Sequence, residues 1–476
     1  MTTPVVAVDG VAFLKKETTF GQYVAFVAGD AISFNSIKIT PERNFVEKKG
    51  HTGSASLQGW TAGKYGGKVS IEVEPKLNAA GTLPEQEMLL TLATRRCPQI
   101  TILAYANGED DTVTVTVDGS ATVLTEADSP TTNQFNAATS NNQTATNLAA
   151  AITSYVSGVT ASASGAIVTI IPTQSQYVTV ACSDATFAAQ QSWSWRAMAS
   201  GAPASAQLAV KLDNGLFIQC QGLVCTKLDI EGEGGAVTLM KAECECAEIS
   251  EMRGTPTVSG VQTSSTISLT TGHAKAFRVA DTTSNLLVQF SELGNNSSVG
   301  WKVTAVNYTN DTITLSTSAG ATTNLEEVQP FLPTPTHDGT EIQNIASSLS
   351  YASTSIGFIK FAVSIATGHH LLNKEATGAK ATRAARGQRR VTGSSSFYLL
   401  DQNQRLVADS WEGTSLALIA RFGPDTSGSR LKVTIPAARV DVHAIELPDA
   451  DEATFEASWA AKQSAAADDE FQIDVD

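Results

Sequence analysis

Apolar and polar residues alternate with a period of two through most of this chain, and few stretches carry a helical period. The alternation is plainest near the C-terminal end. Leu416, Leu418, Ala420 and Phe422 alternate with small or polar neighbours, Gly423-Pro424-Asp425 to Ser427-Gly428 turns the chain, and Leu431, Val433 and Ile435 alternate again. After Pro436, Val440, Val442 and Ala444 interleave with Asp441 and His443. An acidic tip from Glu446 to Glu452 breaks the run, and Ala453, Phe455, Ala457 and Trp459 resume it. These are four strands, each with one face for a core and one polar face.

The same order occurs earlier, from Gln207 to Glu248. Leu208, Val210 and Leu212 make a strand, Asp213-Asn214-Gly215 a hairpin turn, and Phe217 to Leu228 the return. Ile230-Glu231, a Gly/Glu tip through Gly235 and Val237 to Leu239 match Ile445-Glu446, the acidic tip and Ala453 to Phe455. Upstream, Lys68 to Ile71 leads to an amphipathic segment, Leu83 to Leu92, as Arg390 to Thr392 leads to Asp401 to Asp409. Two copies of one module are expected, the first over 31–96 and 192–257, the second over 342–476, behind an N-terminal arm at 1–30.

Two further units interrupt this plan. Residues 97–191 hold a hairpin (Thr112 to Val117, then Ala121 to Thr125), a helix capped by Thr144 or Thr146 that ends at Gly158, and three more strands. Residues 258–329 read as an all-β unit with Asn310-Asp311 as a turn, followed by a Pro-rich joint at 330–341. Each is expected to bury a small core alone and to project outward. The fold class is mainly β: two tandem modules with flanking helices and two small decoration domains, one α+β and one all-β.

Two long segments without periodicity sit at equivalent places, Thr40 to Gly67 and Ser364 to Arg390, and read as contact-making arms. Their basic residues are Lys48, Lys49 and Lys64 in the first, and Lys374, Lys380, Arg383, Arg386, Arg389 and Arg390 in the second. The second run lacks the aromatic residues that stack bases. It is therefore assigned to acidic patches on a neighbouring copy, at Asp449, Asp451 and Glu452 or at Asp468, Asp469 and Glu470.

The net charge of −15 argues against general nucleic-acid binding, which needs a basic surface. No stretch is apolar enough to cross a bilayer as a helix. The six cysteines include no CxxC pair and read as reduced thiols, with Cys244 and Cys246 on one strand face. No nucleophile with its base, carboxylate pair or metal-ligand spacing stands out, so neither enzymatic activity nor a cofactor is expected. Gly59-x-x-x-Gly63-Lys64-Tyr65 has one residue too few between its glycines for a phosphate loop and reads as a flexible arm. His369-His370 reads as solvent-facing.

The run Leu431 to Ile435, Pro436, Arg439 to Asp441, then Glu446 to Asp449, then Phe455 to Trp459 resembles the last strands of the tail tube (major tail) proteins of long-tailed bacteriophages. Val113 to Gly119, Thr144 to Leu148 and Val159 to Ala163 resemble small domains that decorate phage virion proteins. The resemblance implies β-sandwich modules whose inner sheets close into a channel, a trimeric ring of double-module subunits, and rings stacked into a virion tail assembled in the host cytoplasm. The implied partners are further copies of the chain, the tape measure, tail terminator and distal tail proteins, and passing double-stranded DNA bound without specificity. Channel-lining acids would then be Glu72 and Glu74, Asp229 and Glu231, Glu243 and Glu245, Asp441 and Glu446, although a one-residue register slip exchanges the two faces of any strand. The alternative from the same resemblance is a hub, terminator or baseplate protein.

Overall fold

In the first part of the chain the strands are β1 (Val11–Lys16), β2 (Ala31–Ile32), β3 (Ser36–Glu47) and β4 (Trp60–Val73). After helix α1 (Glu87–Ala93) come β5 (Ala206–Lys211), β6 (Phe217–Glu233), β7 (Leu239–Cys246) and β8 (Glu248–Met252). The structure is a computed structural model that describes residues 10–47, 60–78, 82–198, 201–212, 215–278, 286–291, 300–375, 378, 380–400, 403–424, 429–446, 452–464 and 469–475. Of residues 43–47, 60–63, 191, 404 and 443–446 it describes the backbone alone. Strand makes up 51% and helix 10% of the chain. The first set pairs antiparallel in the order β2-β1-β5-β6-β8, and β6 continues into a second order, β6-β7-β4-β3.

Between α1 and β5 the chain forms a unit around α2 (Asn141–Tyr155) with its own apolar cluster, including Ile100, Val115, Leu148, Ile152 and Val168. Ser140, not Thr144 or Thr146, caps this helix, accepting from Gln143 N at 3.2 Å. Thr144 is fully buried, and the Thr146 hydroxyl bonds back to Asn142 O. The strands that enter and leave the unit, Arg95–Ile102 and Ala188–Arg196, pair with each other.

Eight strands and a helix then repeat the first set. They are β9 (Ser348–Tyr351), β10 (Thr354–Ile356), β11 (Lys360–Ala366), β12 (Arg390–Tyr398), α3 (Gln404–Glu412), β13 (Ser415–Phe422), β14 (Leu431–Glu446), β15 (Thr454–Ala461) and β16 (Gln472–Val475). Their orders are β10-β9-β13-β14-β16 and β14-β15-β12-β11, so each strand has the partners of the strand eight labels before it. Even the irregularity recurs. Pairing passes from Leu208↔Cys220 to Ala206↔Leu223 in one copy and from Leu418↔Ile435 to Leu416↔Ala438 in the other, with one extra residue on the longer strand each time. That bulge lets β6 and β14 turn from one sheet into the next. Pro436 lies inside it, where no ladder N–H is needed, and so the two strands read from sequence around Pro436 are one strand, β14.

One apolar cluster runs through both copies. At matching registers its volumes are redistributed. Val73 faces Met240 where Phe397 stacks on Phe455 at 5.0 Å, and Val69 faces Cys244 where Gly393 faces Trp459. A Cβ at Gly393 would run into the backbone oxygen of Ala362 and into the Trp459 ring, which stacks on Phe361 at 5.6 Å. The unit from Thr266 to Pro330 is a five-stranded sheet, but its apolar cluster includes Phe13, Phe26, Phe217 and Met252. Its core is therefore shared with the back of the β1-β5-β6-β8 sheet, and the expectation of a core buried alone is corrected for this unit.

The segment Thr40 to Gly67 is not an aperiodic loop at its ends, because strand pairing continues to Glu47↔Trp60. Residues 48–59, with Lys48 and Lys49, lie outside the described residues. Gly63, Lys64 and Tyr65 belong to β4, so the flexible-arm reading there is also corrected. Gly393→Val should destabilise the chain by about 2 kcal/mol or more through overpacking. Adding Trp459→Cys, which restores the pairing found at Val69 and Cys244, should recover part of that loss in chemical denaturation.

Candidate functional site: a charged sheet face with two open edges

The two copies are joined by backbone pairing of β6 with β11, from Lys227↔Ala366 to Glu233↔Lys360. The result is one antiparallel sheet, β3-β4-β7-β6-β11-β12-β15-β14. Because side chains alternate across a strand, the burial of Val69, Ile71, Ala242, Cys244, Leu228, Ile230, Phe361 and Val363 sends the intervening residues to the opposite, polar face. There Glu72 stands opposite Lys241, Lys241 opposite Asp229, Asp229 opposite Ser364 and Ser364 opposite Thr392. In further rows Ser70 meets Glu243, Glu243 meets Lys227, and Glu231, Ala362, Ser394, Ser458 and Asp441 follow one another.

The structure thus gathers Glu72, Asp229, Glu231, Glu243, Glu245 and Asp441 on one face. Glu74 lies just past the end of β4, where Asn35 donates to it at 3.1 Å. Glu446 is the last residue of β14; its side chain is outside the description. The acids do not stand alone. Lys227 pairs with Asp229 at 2.7 Å and Lys360 with Glu231, while the half of the face built by the second copy is mostly Ser, Thr and Ala. A groove of about 470 Å³ runs over the join, between Glu72, Asp229, Glu231 and Ser394.

Two edges of this sheet have no strand beside them among the described residues: the outer edge of β3, and the stretch of β14 beyond Arg439. Phe361 and Val363 in β11 are 0% and 1% exposed, but Ile37 and Ile39, which hold the same registers in β3, are only partly buried. Leu228 in β6 is fully buried, while its counterpart Val442 in β14 is partly buried.

The basic arm after β11 folds back on its own chain. Residues His369–Leu371 pair with Ala384–Arg386, and Leu371 and Ala381 pack on Val224 and Ala247. Lys380 pairs with the buried Glu248, Glu245 accepts from Leu371 N at 3.1 Å, Arg386 and Arg389 donate to Met198 O, and Arg389 pairs with Glu470 at 2.7 Å. The described arm is therefore taken up within the chain, where the sequence assigned it to a neighbouring copy; Glu470 is its partner, but in cis. Arg383 bonds Glu375, whose carboxyl is held below the usual range by Arg383 and by Lys64. Lys374 and Arg390 are exposed, as is Glu452, and Asp469 accepts from Ser464 N at 2.8 Å. Asp449, Asp451 and Asp468 lie outside the described residues. His369 is buried, not solvent-facing, and burial lowers its pKa to about 4.

Sequence reasoning passed over Glu17, which holds the arm's socket together. It is 4% exposed and accepts from Gly21 N and Gly222 N, both at 2.8 Å, and from the Ser205 hydroxyl at 2.7 Å. Burial outweighs these donors and raises its pKa to about 7. A lone acid in a weakly patterned stretch carries no sequence signal of this role.

Among the described residues no group of three or more His, Cys, Asp or Glu lies together as a metal site would require. The described cysteines are free, and burial pushes the Cys97 thiol up to about 11. A cavity of about 750 Å³ opens between Lys15, Glu87 and Tyr177. Of its charged residues, Lys15 pairs with Asp30 at 2.8 Å, and Glu87 pairs with the neighbouring Arg96 at 3.3 Å. No family model matches the chain, and no curated protein matches it.

Because the Glu17 pKa is higher in the folded chain than its ordinary 4.5, the folded state holds this proton more tightly than the unfolded one. Its contribution is fully present below pH 4.5 and is lost as pH rises to about 7. Glu17→Gln should flatten that part of the stability profile in denaturation measured from pH 4.5 to 8.

Proposed function

We propose that the chain is a structural subunit of a bacteriophage tail tube, a pair of tandem β-sandwich modules whose copies close into a ring and stack around a channel. The observation that carries the reading is the join itself. One module offers the edge of β6, the next accepts it with β11, and among the described residues the same two edges have no strand beside them at the far ends of the chain, as β14 and β3, with Val442 N of β14 held by the Ser410 hydroxyl at 3.0 Å. A join of this kind repeats without end until it closes, which is how a head-to-tail interface makes a ring. Transferred to two copies, the register of β6·β11 sets Ala444, Ile445 and Glu446 of one chain against Thr40, Ile39 and Lys38 of the next. The partly buried Ile37, Ile39 and Val442 would then gain the cover that Phe361, Val363 and Leu228 already have. A ring of three chains would carry six modules.

The polar face of the eight-stranded sheet is the proposed channel wall. Its acids repel a duplex that carries one negative charge per roughly 1.7 Å of axis, and its lysines keep that repulsion short in range. The wall conducts without holding.

Negative-stain microscopy of the purified chain should show hollow fibres or rings. Single rings without fibres would favour the hub or terminator reading, and a monomer at all concentrations would overturn both. Lys38→Glu should weaken assembly at least tenfold by setting like charges opposite Glu446, and Glu446→Lys in the same chain should restore it. Replacing Glu72 and Glu243 by Gln and Asp229 by Asn, which leaves Lys241 and Lys227 unopposed without adding like charges directly opposite them, should leave tubes intact while genome delivery falls in a phage infection assay.

A further inference from the structure

The two arms share one hairpin register. In the second copy, pairing runs from Lys360↔Ser396 to Ala366↔Arg390 and, after a shift of one residue, from His369↔Arg386 to Leu371↔Ala384. In the first it runs from Ser36↔Glu72 to Arg43↔Tyr65 and, after the same shift at the same place, from Phe45↔Ala62 to Glu47↔Trp60. Glu47 therefore holds the register of Leu371.

The floors on which the arms can lie also match by register, but they differ in chemistry. The pair Val224↔Glu245 of β6 and β7 corresponds to Arg439↔Ala460 of β14 and β15, and two residues further along Ala247 corresponds to Lys462. On the first floor Leu371 packs against Val224 and Ala247, which are 0% and 2% exposed. On the second floor Arg439, Ala460 and Lys462 are all exposed. The repeat thus supplies a seat for a second arm, and among the described residues no arm fills it.

We propose that the floor around Arg439 and Lys462 is the docking surface for the β3–β4 hairpin of a second copy, seated so that Glu47 of that copy falls between the two cations. The seat follows from the join. The register that sets Ala444 against Thr40 also sets Asp441 opposite Glu42, which Lys68 holds at 3.0 Å, and carries the hairpin on over Arg439 and Lys462 as β11 carries its arm over Val224 and Ala247. One contact is then recast as a whole: Leu371 on two apolar residues within the chain, Glu47 on two cations between chains. Exchanged arms would fail. Leu371 would cover two unpaired cations, and Glu47 would enter an apolar floor beside the acids Glu245 and Glu248, each a burial of charge without a partner. The two contacts therefore reject a join of like modules and keep the two kinds alternating around the ring. The proposal rests on the ring reading, since the neighbour that presents β3 to β14 is the one whose hairpin reaches this floor.

The test is the assembly of full-length chains, followed by negative-stain microscopy over a range of concentrations, with folding checked by circular dichroism. Glu47→Arg, which sets an arginine against Arg439 and Lys462, is expected to raise the concentration needed for assembly by about tenfold or more. Arg439→Glu together with Lys462→Glu, which sets acids against Glu47, should do the same. All three substitutions in one chain reverse both sides of the contact and should return assembly to near the wild-type concentration. Wild-type rings with Glu47→Arg assembling equally well, or a triple variant no better than its parents, would overturn this docking and leave the ring reading standing. A wild-type chain that forms no ring at all would overturn both.

Discussion

Backbone pairing between β6 and β11 is the interaction on which the rest of the molecule depends. It spans seven residue pairs, and each ladder hydrogen bond contributes only about 0.5–1.5 kcal/mol net. Its larger effect is geometric. By placing Leu228 and Ile230 beside Val363 and Ile365, it merges the interiors of two modules into one cluster. A chain with the same strands but an open seam would bury far less apolar surface, at roughly 25 cal/mol per Å². The arm after β11 reinforces the join from the side, bringing Lys380 to Glu248 and Arg389 to Met198 O. An edge-to-edge join with apolar backing also states a rule for continuation, since nothing in it depends on the two modules belonging to one polypeptide.

Much of the strand plan was legible because a buried face imposes period two, and the repeat was legible because two stretches shared turns and tips in the same order. What alternation cannot carry is register over long separations. The single strand through Pro436 read as two because proline marks strand ends, and only the bulge shared with Leu416 and Leu418 explains its tolerance. The arms read as loops because basic residues with Gly and Ala have no period, yet both have strand at their ends, and the described part of the second is held by Glu245 and Glu248, far away in sequence. The shared core of the unit after β8 was hidden for the same reason: Phe13 and Phe217 look like ordinary core residues of their own strands. Glu72, Asp229, Glu231, Glu243, Glu245 and Asp441 lie on the polar face, but the lysines opposite them on neighbouring strands, such as Lys241 beside Glu72 and Lys360 beside Glu231, could be matched to them only through the pairing.

Duplication also permits the two halves of the sheet to differ, and the differences have physical consequences. Val69 with Cys244 and Gly393 with Trp459 fill the same layer by opposite divisions of volume, so neither side can be exchanged alone without a cavity or a clash. On the polar face, Glu72, Lys241 and Asp229 lie one strand spacing apart, about 4.8 Å. That is less than the Debye length of about 8 Å at physiological salt. Their fields largely cancel a few ångströms above the surface, and the second half, with Ser364, Thr392, Ser394 and Ser458, adds hydroxyls in place of charge.

In a closed ring this alternation would repeat around the circumference, charged stretch after hydroxyl stretch. A uniformly basic wall would bind phosphates and release counterions, and tight binding of that kind opposes sliding. A uniformly acidic wall would repel the duplex, but it would also repel itself, because like charges on neighbouring strands destabilise a sheet. Interleaving lysines relieves that internal repulsion while each strong acid keeps its place on the surface. In the proposed tube the sheet would therefore meet two demands at once, stability of a densely charged face and weak, short-range interaction with a passing polyanion. The first demand alone already requires that Lys241 stand between Glu72 and Asp229.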